Sequence, residues 1–416
     1  MDTGFDVVVI GGGASGLMAA GRAAACGASV LLLEKMPRLG LKLGITGKGR
    51  CNLTNLGDMP TFIKNYSPDG RFLRNVYSRF FNRELMAFFE DRGLPLVVER
   101  GQRVFPASNR ALDVVTALLK YLREGQVTVI KEAPVERIEA EKDRVRGVYQ
   151  SGQFHPAKAV ILATGGASYP QTGSTGDGYR LAEGLGHRVT PIRPFLVPLV
   201  SAEPWVAELQ GLVLKNVRAT LHQGGREEQE EFGELLFTHF GLSGPIMLTL
   251  SGRAVELLAR GPVEIILNLK PGLDERQVDL RLQREFLTHS RQMLKSILKL
   301  LLPARLIPFF LLQAGVDGEK PGNQICAGER RQLGKTLRAW PIAIAGHRPL
   351  AEAIITAGGV SLQEVDPRTL ESRLVRNLYF CGEVLDIQGL TGGFNLQAAF
   401  STGWVAGTSA AERNKT

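Results

Sequence analysis

Blocks of apolar residues in the first 34 positions predict a strand, a helix and a second strand. Residues 6–10 form an apolar run of strand length, an alanine-rich stretch follows Gly16, and residues 29–33 form a second apolar run. Uninterrupted apolar runs are typical of strands buried on both faces of a parallel sheet. The pattern therefore predicts an α/β protein built on a parallel sheet.

Glycines occupy the turn between the first strand and the helix. Gly11, Gly13 and Gly16 have the spacing that permits a tight turn, close backbone approach to a pyrophosphate, and close contact between helix and strand. The helix N-terminus favours an anion, and Glu34, about 20 residues further on, could accept a hydrogen bond from a ribose hydroxyl. These residues predict a dinucleotide site.

Two further strand ends rich in glycine suggest which dinucleotide is bound. One apolar run ends at Thr164-Gly165, and another ends at Gly382-Glu383, before a predicted helix near Gly393. One fingerprint at the start and a second cofactor segment at the end is the arrangement of FAD enzymes of the two-dinucleotide-binding type. The last helix would then direct its positive end at the flavin. No second Gly-x-Gly-x-x-Gly turn opens a separate domain for NAD(P)H, so we expect NAD(P)H to dock transiently.

The middle of the chain has a different pattern. Residues 195–273 contain short apolar runs between glycine, proline and charged turns, which predicts a β-rich insert. Residues 274–348 change to helical periodicity, which predicts a helical insert. The FAD-binding domain would then consist of residues 1–194 and 349–416.

Composition narrows the class of protein. No apolar run reaches the roughly 18 residues that a membrane-spanning helix needs, and the N-terminus does not resemble a signal peptide. The four cysteines are widely spaced, without a Cys-x-x-Cys pair, which argues against a disulfide framework or a structural zinc site. We expect a cytoplasmic protein with no bound metal and no membrane partner.

The net charge of +9 is unevenly distributed. Residues 35–83 carry a net charge of +8 and residues 275–348 a net charge of +7, so the rest of the chain is acidic. Two basic zones suggest a polyanionic partner. Alternatively, one zone serves a phosphate-bearing cofactor, and charge alone leaves both readings open.

The segment ITGKGRCNLTN (residues 45–55) is too irregular for a helix or strand. Gly47 would let backbone N–H groups approach the flavin or phosphates, and Arg50 and Lys42 could neutralise phosphate or the reduced flavin. Cys51, flanked by Arg50 and Lys48, is expected to have a lowered pKa and to act as a general acid. The alternative is that Cys51 is a small buried residue packing against the flavin. Arg50 and Cys51 are thus the candidate catalytic residues.

The motifs together resemble one family. GGGASG, GKGRCNLTN, RVFP, ATGG, LFTHFGLSGP and GEVLDIQGLTGGFN occur in this order between residues 5 and 407. This combination resembles the BaiN/YhiN-like flavoproteins, also described as aminoacetone-oxidase-like. The resemblance implies a Rossmann-like FAD-binding domain interrupted by a β-barrel-like part and a helical part.

The resemblance also implies a set of FAD contacts. The pyrophosphate, the adenosine, the ribityl chain and the flavin ring would each be held by residues of the shared motifs. These residues are Gly11, Gly13, Ser15 and Gly16 at the pyrophosphate, Glu34, Lys35, Val135, Thr164 and Gly165 at the adenosine, Gly382 and Glu383 at the ribityl chain or phosphate, Gly393, Phe394 and Asn395 at the ring, and Lys42, Gly47 and Asn52 in the loop. Family members more often read GGGRCN where this chain has Lys48.

Members of the family are linked to the reduction of carbon–carbon double bonds, either in bile-acid intermediates or in uridines of bacterial ribosomal RNA. Flavin chemistry suits both, because hydride is delivered to an electron-poor carbon and an acid, here Cys51, protonates its neighbour. The two basic zones favour a uridine of 23S rRNA, which would make the protein a dihydrouridine synthase. One alternative is a small-molecule ene-reductase or amine oxidase, and another is a flavoprotein that binds RNA without turnover.

Overall fold

Strands occur along most of the chain in the computed structural model, which describes residues 4–413. Those of the first 34 residues form where the apolar runs predict them. The strands are β1 (Phe5–Ile10), β2 (Val30–Glu34), β3 (Thr54–Asn55), β4 (Tyr66–Ser67), β5 (Leu96–Glu99), β6 (Arg103–Pro106), β7 (Thr128–Lys131), β8 (Val135–Glu141), β9 (Arg144–Gln150), β10 (Gln153–Leu162), β11 (Arg193–Phe195), β12 (Leu199–Ser201), β13 (Val213–Gln223), β14 (Arg226–Phe237), β15 (Gly241–Ser243), β16 (Val263–Asn268), β17 (Trp340–His347), β18 (Ile355–Ala357), β19 (Leu378–Phe380) and β20 (Gln388–Gly389).

Helices separate these strands, and none of those in the described residues is long and apolar enough to cross a membrane. The helices are α1 (Ala14–Ala25), α2 (Leu41–Ile45), α3 (Met59–Lys64), α4 (Arg74–Tyr77), α5 (Asn82–Glu90), α6 (Ala111–Glu124), α7 (Asp177–Glu183), α8 (Trp205–Glu208), α9 (Pro245–Leu258), α10 (Glu275–Thr288), α11 (Leu294–Ile297), α12 (Ile307–Ala314), α13 (Ala327–Arg338) and α14 (Phe394–Glu412).

The chain divides into two units. The first, here called the split unit, contains the residues up to Pro194 and those from Leu350 onward, and the second, the inserted unit, is Phe195–Pro349. Each unit has its own hydrophobic core.

A parallel sheet lies at the centre of the split unit. Its parallel strands follow the order β7-β2-β1-β10-β19, and β10 also pairs in antiparallel fashion with β9, which pairs with β8. The strand β1 is buried along Val7, Val8 and Val9, as expected for the middle of a sheet covered on both faces. This sheet confirms the predicted Rossmann-like α/β fold.

The last helix of the split unit packs directly on the first. A Cβ atom on Gly403 of α14 would lie 2.3 Å from the Ser15 carbonyl oxygen of α1, and one on Gly407 would lie 2.4 Å from that of Ala19. The two glycines are four residues apart and therefore share one face of α14. Their missing side chains let the two helix backbones touch.

A closed barrel forms the inserted unit, with strand order β12-β15-β14-β13-β16-β17. The helices α10 to α13 contribute Leu282, Phe310 and Leu333 to the same hydrophobic core as the barrel residues Leu267 and Ile342. The barrel and its helices therefore share one core.

The inserted unit differs in detail from its sequence pattern. The range 274–348, predicted as helical, ends in β17, which completes the barrel by pairing with β16 and β12. The range 195–273, predicted as β-rich, contains the 14-residue helix α9. Strand β17 follows the helices in sequence and closes the barrel, so the barrel and the helices share one core. The boundary expected between residues 273 and 274 therefore does not separate two cores.

Candidate cofactor site

The turn between β1 and α1 has the shape that the glycine spacing predicts. Gly11 has a φ of +104°, and a Cβ on it would lie 2.6 Å from the Ala163 carbonyl oxygen. A Cβ on Gly16 would lie 1.9 Å from the Gly11 carbonyl oxygen. A Cβ on Gly13, by contrast, would have no heavy atom within 4 Å. Gly11 and Gly16 therefore close the turn, while Gly13 faces open space at the N-terminus of α1, where no side chain caps the helix.

A cavity opens beside this turn. It is lined by residues from the ends of β1, β2 and β10, together with the start of β8, because the carboxyl ends of parallel strands meet at one edge of a sheet. Four predicted adenosine contacts are among its lining residues, namely Glu34, Lys35, Val135 and Thr164. The predicted pyrophosphate contact Gly11 also lines it.

Thr164 gives an independent sign that this cavity receives a ligand. Its Oγ1 atom is buried and has no hydrogen-bond partner among the described residues. Buried hydroxyls are normally hydrogen-bonded, so an unpaired one in a cavity wall fits a ligand that would supply the partner. The open space at Gly13, the uncapped helix and this hydroxyl together fit the pyrophosphate and adenosine of a dinucleotide.

Glu34 is held in place by backbone donors. Its two carboxylate oxygens accept hydrogen bonds from the N–H groups of Gly12 at 2.6 Å and Met36 at 2.8 Å. A carboxylate oxygen has a further lone pair, so Glu34 can still accept from a ribose hydroxyl. The neighbouring Lys35 forms an ion pair with Asp177 at 2.5 Å, so its charge is balanced within the protein.

The second cofactor segment lies against the start of α1. Gly382 has a φ of +77°, and a Cβ on it would lie 2.4 Å from Ser15 Oγ. The Gly382 N–H donates to Thr402 Oγ1 of α14 at 2.9 Å. Gly165 also has a positive φ, of +73°, just after β10. The structure thus brings Ser15 and Gly382, which are far apart in sequence, to one place.

Glu383 binds a lysine of the loop region. Its Oε2 accepts from Lys42 Nζ at 2.8 Å, and its Oε1 accepts from the Thr356 N–H at 2.8 Å. Lys42 also donates to Ser168 Oγ at 2.8 Å. Lys42 was expected to neutralise phosphate or the reduced flavin, but in this structure Glu383 neutralises it.

The loop that carries the candidate thiol has an unusual backbone. Gly47, Lys48, Gly49 and Cys51 all have φ angles between +57° and +83°. The left-handed region is open to glycine but costs about 1–2 kcal/mol for other residues. Lys48, where the family more often has glycine, is therefore strained and is also exposed to solvent.

The environment of Cys51 corrects the expectation of a lowered pKa. Its side chain is fully buried in the hydrophobic core of the split unit, and this burial raises the pKa of the thiol to about 12. The guanidinium of Arg50 instead binds Glu99 and lies 4.3 Å from the ring centre of Phe105. An exposed Lys48 and a paired Arg50 leave no free cation to stabilise the thiolate, so the expectation was wrong.

The loop after Cys51 reaches the N-terminus of α14. A Cβ on Gly393 would lie 2.4 Å from the Thr54 carbonyl oxygen. With the Asn52 amide oriented to satisfy its neighbours, its oxygen accepts from the Gly393 N–H at 2.9 Å. Asn395 Nδ2 donates to the Gly389 carbonyl oxygen at 2.7 Å, which closes the turn before the helix. The predicted flavin-ring residues and the loop are therefore neighbours.

Phe394 has a different environment from the one expected. Its ring is buried and packs edge-on against Phe62 at 4.8 Å between ring centres. The Tyr66 hydroxyl donates to the Phe394 carbonyl oxygen at 2.6 Å. Phe394 therefore anchors the start of α14 in an aromatic cluster that the sequence motifs did not indicate.

Several other residues of the site were missed. Ser168, Thr356 and Thr402 supply hydrogen bonds, but nothing in their local sequence marks them, because their partners are distant in the chain. Gly403 and Gly407 carried a visible signal, since two glycines four residues apart in a helix often mark a close contact. Within residues 4–413, no group of three or more His, Cys, Asp or Glu side chains is arranged to hold a metal ion.

Comparisons with known proteins agree with this geometry. The family model described as the HI0933-like protein Rossmann domain matches residues 5–409. The chain is 34% identical over 414 residues to the 3-dehydro-bile acid delta(4,6)-reductase of Clostridium scindens, covering 97% of this chain and 98% of that protein. It is 32% identical over 403 residues to the ribosomal RNA dihydrouridine synthase of Escherichia coli, covering 96% of each.

A solved structure shows a similar fold. The 3-ketosteroid delta1-dehydrogenase from Sterolibacterium denitrificans superimposes with a TM-score of 0.52 at 15% identity, covering 98% of this chain and 99% of that one. At this identity the likeness concerns the fold alone.

Proposed function

Because the chain belongs to the HI0933-like family, whose model spans almost all of it, we propose that it reduces a carbon–carbon double bond in a uridine of ribosomal RNA. The protein is an FAD-dependent oxidoreductase. Its relatives of known name divide between a bile acid reductase and an RNA dihydrouridine synthase. Charge favours RNA, since a protein with a net charge of +9 attracts a polyanion, whereas a steroid needs an apolar pocket.

The FAD contacts that we propose rest on the shared motifs and are supported by the geometry of the turn and the cavity. The open space at Gly13 and the first turn of α1 would receive the pyrophosphate. Glu34, Val135 and Thr164 would hold the adenosine, and the loop with the start of α14 would hold the flavin ring. The remaining contacts proposed are Gly11, Ser15, Gly16, Lys35, Lys42, Gly47, Asn52, Gly165, Gly382, Glu383, Gly393, Phe394 and Asn395. Bound FAD would supply the hydride that saturates the double bond.

The chain's own residues provide binding and orientation. We assign Cys51 a packing role in the loop, because a buried thiol with a pKa of about 12 is a weak acid at neutral pH. NAD(P)H is proposed as the reductant and would dock without a Gly-x-Gly-x-x-Gly turn of its own.

The proposal is tested by mass spectrometry of 23S rRNA nucleosides from cells with and without the gene. We expect one dihydrouridine to disappear in the deletion strain and to return with the wild-type gene. We also expect it not to return with Gly13→Ala, which fills the space proposed for the pyrophosphate. An unchanged dihydrouridine content in the deletion strain would reject RNA reduction.

A small-molecule ene-reductase is the second candidate, supported by the 34% identity to the bile acid reductase. This candidate predicts that the purified holoenzyme oxidises NAD(P)H when given a 3-dehydro-Δ4,6 bile acid. RNA reduction instead predicts NAD(P)H oxidation coupled to the loss of uridine. RNA binding without either reaction would identify a non-catalytic flavoprotein.

A further inference from the structure

The cations of the first basic zone fall into two groups. Lys35, Lys42 and Arg50 form ion pairs with acids of the split unit, so they contribute little net charge to its surface. Six other cations of this zone are exposed and have no ion pair among the described residues. Arg38 and Lys48 precede α3. The other four, Lys64, Arg74, Arg79 and Arg83, lie further along the chain, and we call them the basic helical surface.

The basic helical surface is concentrated in a short part of the chain. Its four residues lie on or beside α3, α4 and α5, within 20 positions of one another. The single aspartate among residues 59–83, Asp69, already binds Arg71. Asp58 and Glu84 flank this range, and neither forms an ion pair with any of the four cations within the described residues.

The second basic zone keeps its net charge of +7, but many of its individual cations are paired. Six of its cations bind acids of the same zone, some of them far apart in sequence. The pairs are Lys295–Glu319, Lys320–Glu329, Arg330–Asp279, Arg338–Glu275, Arg281–Glu285 and Arg284–Glu285. The unpaired cations of the basic helical surface therefore lie closer together along the chain than the unpaired cations of the second zone.

The chemistry of the basic helical surface suits phosphate groups. The large hydrophobic side chains that the described residues expose include none between residues 57 and 96. A helix that binds a membrane surface needs apolar side chains that enter the lipid, and this surface presents none. Clustered cations without apolar anchors are typical of contact with a nucleic-acid backbone.

Aromatic packing attaches this surface to the candidate cofactor site. The ring of Phe62 on α3 contacts Phe81, with ring centres 4.7 Å apart, and also Phe394, the first residue of α14. Phe80 stacks on Trp404 of α14 at 4.3 Å. The helices that carry the cations are thus fixed to the helix whose N-terminus is proposed to face the flavin.

We propose that the basic helical surface docks the phosphate backbone of folded ribosomal RNA next to the N-terminus of α14. The choice of RNA rests on the proposed function. Docking there would hold the RNA near the cofactor site while one of its bases is reduced.

The test compares two charge variants of the FAD-loaded full chain. The first carries Lys64→Gln, Arg74→Gln, Arg79→Gln and Arg83→Gln. The control removes the same charge from exposed, unpaired cations of the second zone. It carries Arg276→Gln, Arg291→Gln, Lys299→Gln and Lys335→Gln. FAD absorbance and thermal unfolding, which we expect to be unchanged, verify that each variant is folded.

Binding is measured on 23S rRNA purified from the deletion strain, over a range of salt concentrations. We expect the first variant to bind at least about tenfold more weakly, with a salt slope lower by about 3, since each lost phosphate contact removes nearly one unit. The control should retain most of the wild-type affinity. Equal losses in both variants, or no loss in the first, would overturn the proposal.

Turnover separates this inference from the proposed function. If the wild-type protein forms dihydrouridine and the first variant does so equally well at limiting RNA, the docking surface is refuted and the function stands. If RNA binding depends on the four cations but no dihydrouridine forms, the reaction is refuted and the docking surface stands. Binding to phosphatidylserine vesicles that depends on the same residues, with RNA binding unaffected, would refute RNA docking in favour of a membrane.

Discussion

Gly13→Ala should weaken FAD binding while leaving the stability of the apoprotein almost unchanged. Gly13 has a φ of −82° and a ψ of −169°, a conformation open to alanine, and its Cβ would meet no protein atom within 4 Å. The added methyl group therefore costs the apoprotein little. It does occupy the space through which we expect the pyrophosphate to approach the backbone.

The expected magnitudes can be worked out for each state. In the apoprotein, replacing glycine by alanine at a helix N-cap costs about 0.5–1 kcal/mol. Alanine also lowers the conformational entropy of the unfolded chain, which raises the free energy of unfolding by about 0.4–1 kcal/mol. The net change should thus stay within about 0.5 kcal/mol. In the holoprotein, FAD at 100 times its Kd stabilises the fold by about 2.7 kcal/mol, and a hundredfold weaker variant would retain about 0.4 kcal/mol of this.

The assay is thermal unfolding with and without FAD, combined with FAD titration followed by flavin fluorescence. Gly16→Ala is the matched control, because its Cβ would lie 1.9 Å from a carbonyl oxygen and α1 is held on its other side by α14. That variant should lose apoprotein stability as well, by about 1–3 kcal/mol or more. Wild-type FAD affinity in Gly13→Ala, or a destabilised apoprotein, would refute the reasoning.

Three further predictions concern two residues of the loop. Cys51→Ala should keep the wild-type pH profile of turnover between pH 6 and 9. A shift of either side of this profile in the variant would show that the thiol does act as an acid. The raised pKa of Cys51 also predicts a stability difference, because the thiol ionises near pH 9 when unfolded but near 12 when folded. The contribution of the protonated thiol to the free energy of unfolding is fully present below pH 9 and is lost as the pH rises towards 12. In this pH range the urea midpoint of the wild-type protein should therefore fall faster than that of Cys51→Ala. Lys48→Gly should raise the free energy of unfolding by up to about 1 kcal/mol, since relief of left-handed strain exceeds the entropy cost of glycine, and a lower denaturation midpoint would contradict this.

Features that depend on residues close together in the sequence could be predicted from the sequence. The turn at Gly11 and Gly13 depends on residues within one short segment, and the fold around it follows from strand and helix periodicity. The meeting of Glu34 and Thr164 at one cavity was also predictable, because parallel strands place their carboxyl ends together.

Features that depend on side-chain direction across long sequence distances were not predictable. The pKa of Cys51 is raised by burial in the core, and Arg50 binds Glu99, 49 residues away, rather than the thiol. The number of unpaired cations in the second basic zone depends on partners as distant as Asp279 and Arg330. Strand β17 was missed because it is a short apolar segment directly after a helix, where periodicity gives little signal.

The interrupted order of the split unit has a consequence for protein synthesis. Strand β19 and helix α14 leave the ribosome after the inserted unit, yet they cover the edge of β10 and the face of α1. The inserted unit is continuous in sequence, so all its pairing partners emerge earlier. A nascent chain therefore exposes a half-built nucleotide site while the barrel already has every strand, and the capacity to load FAD arises only once α14 has been synthesised.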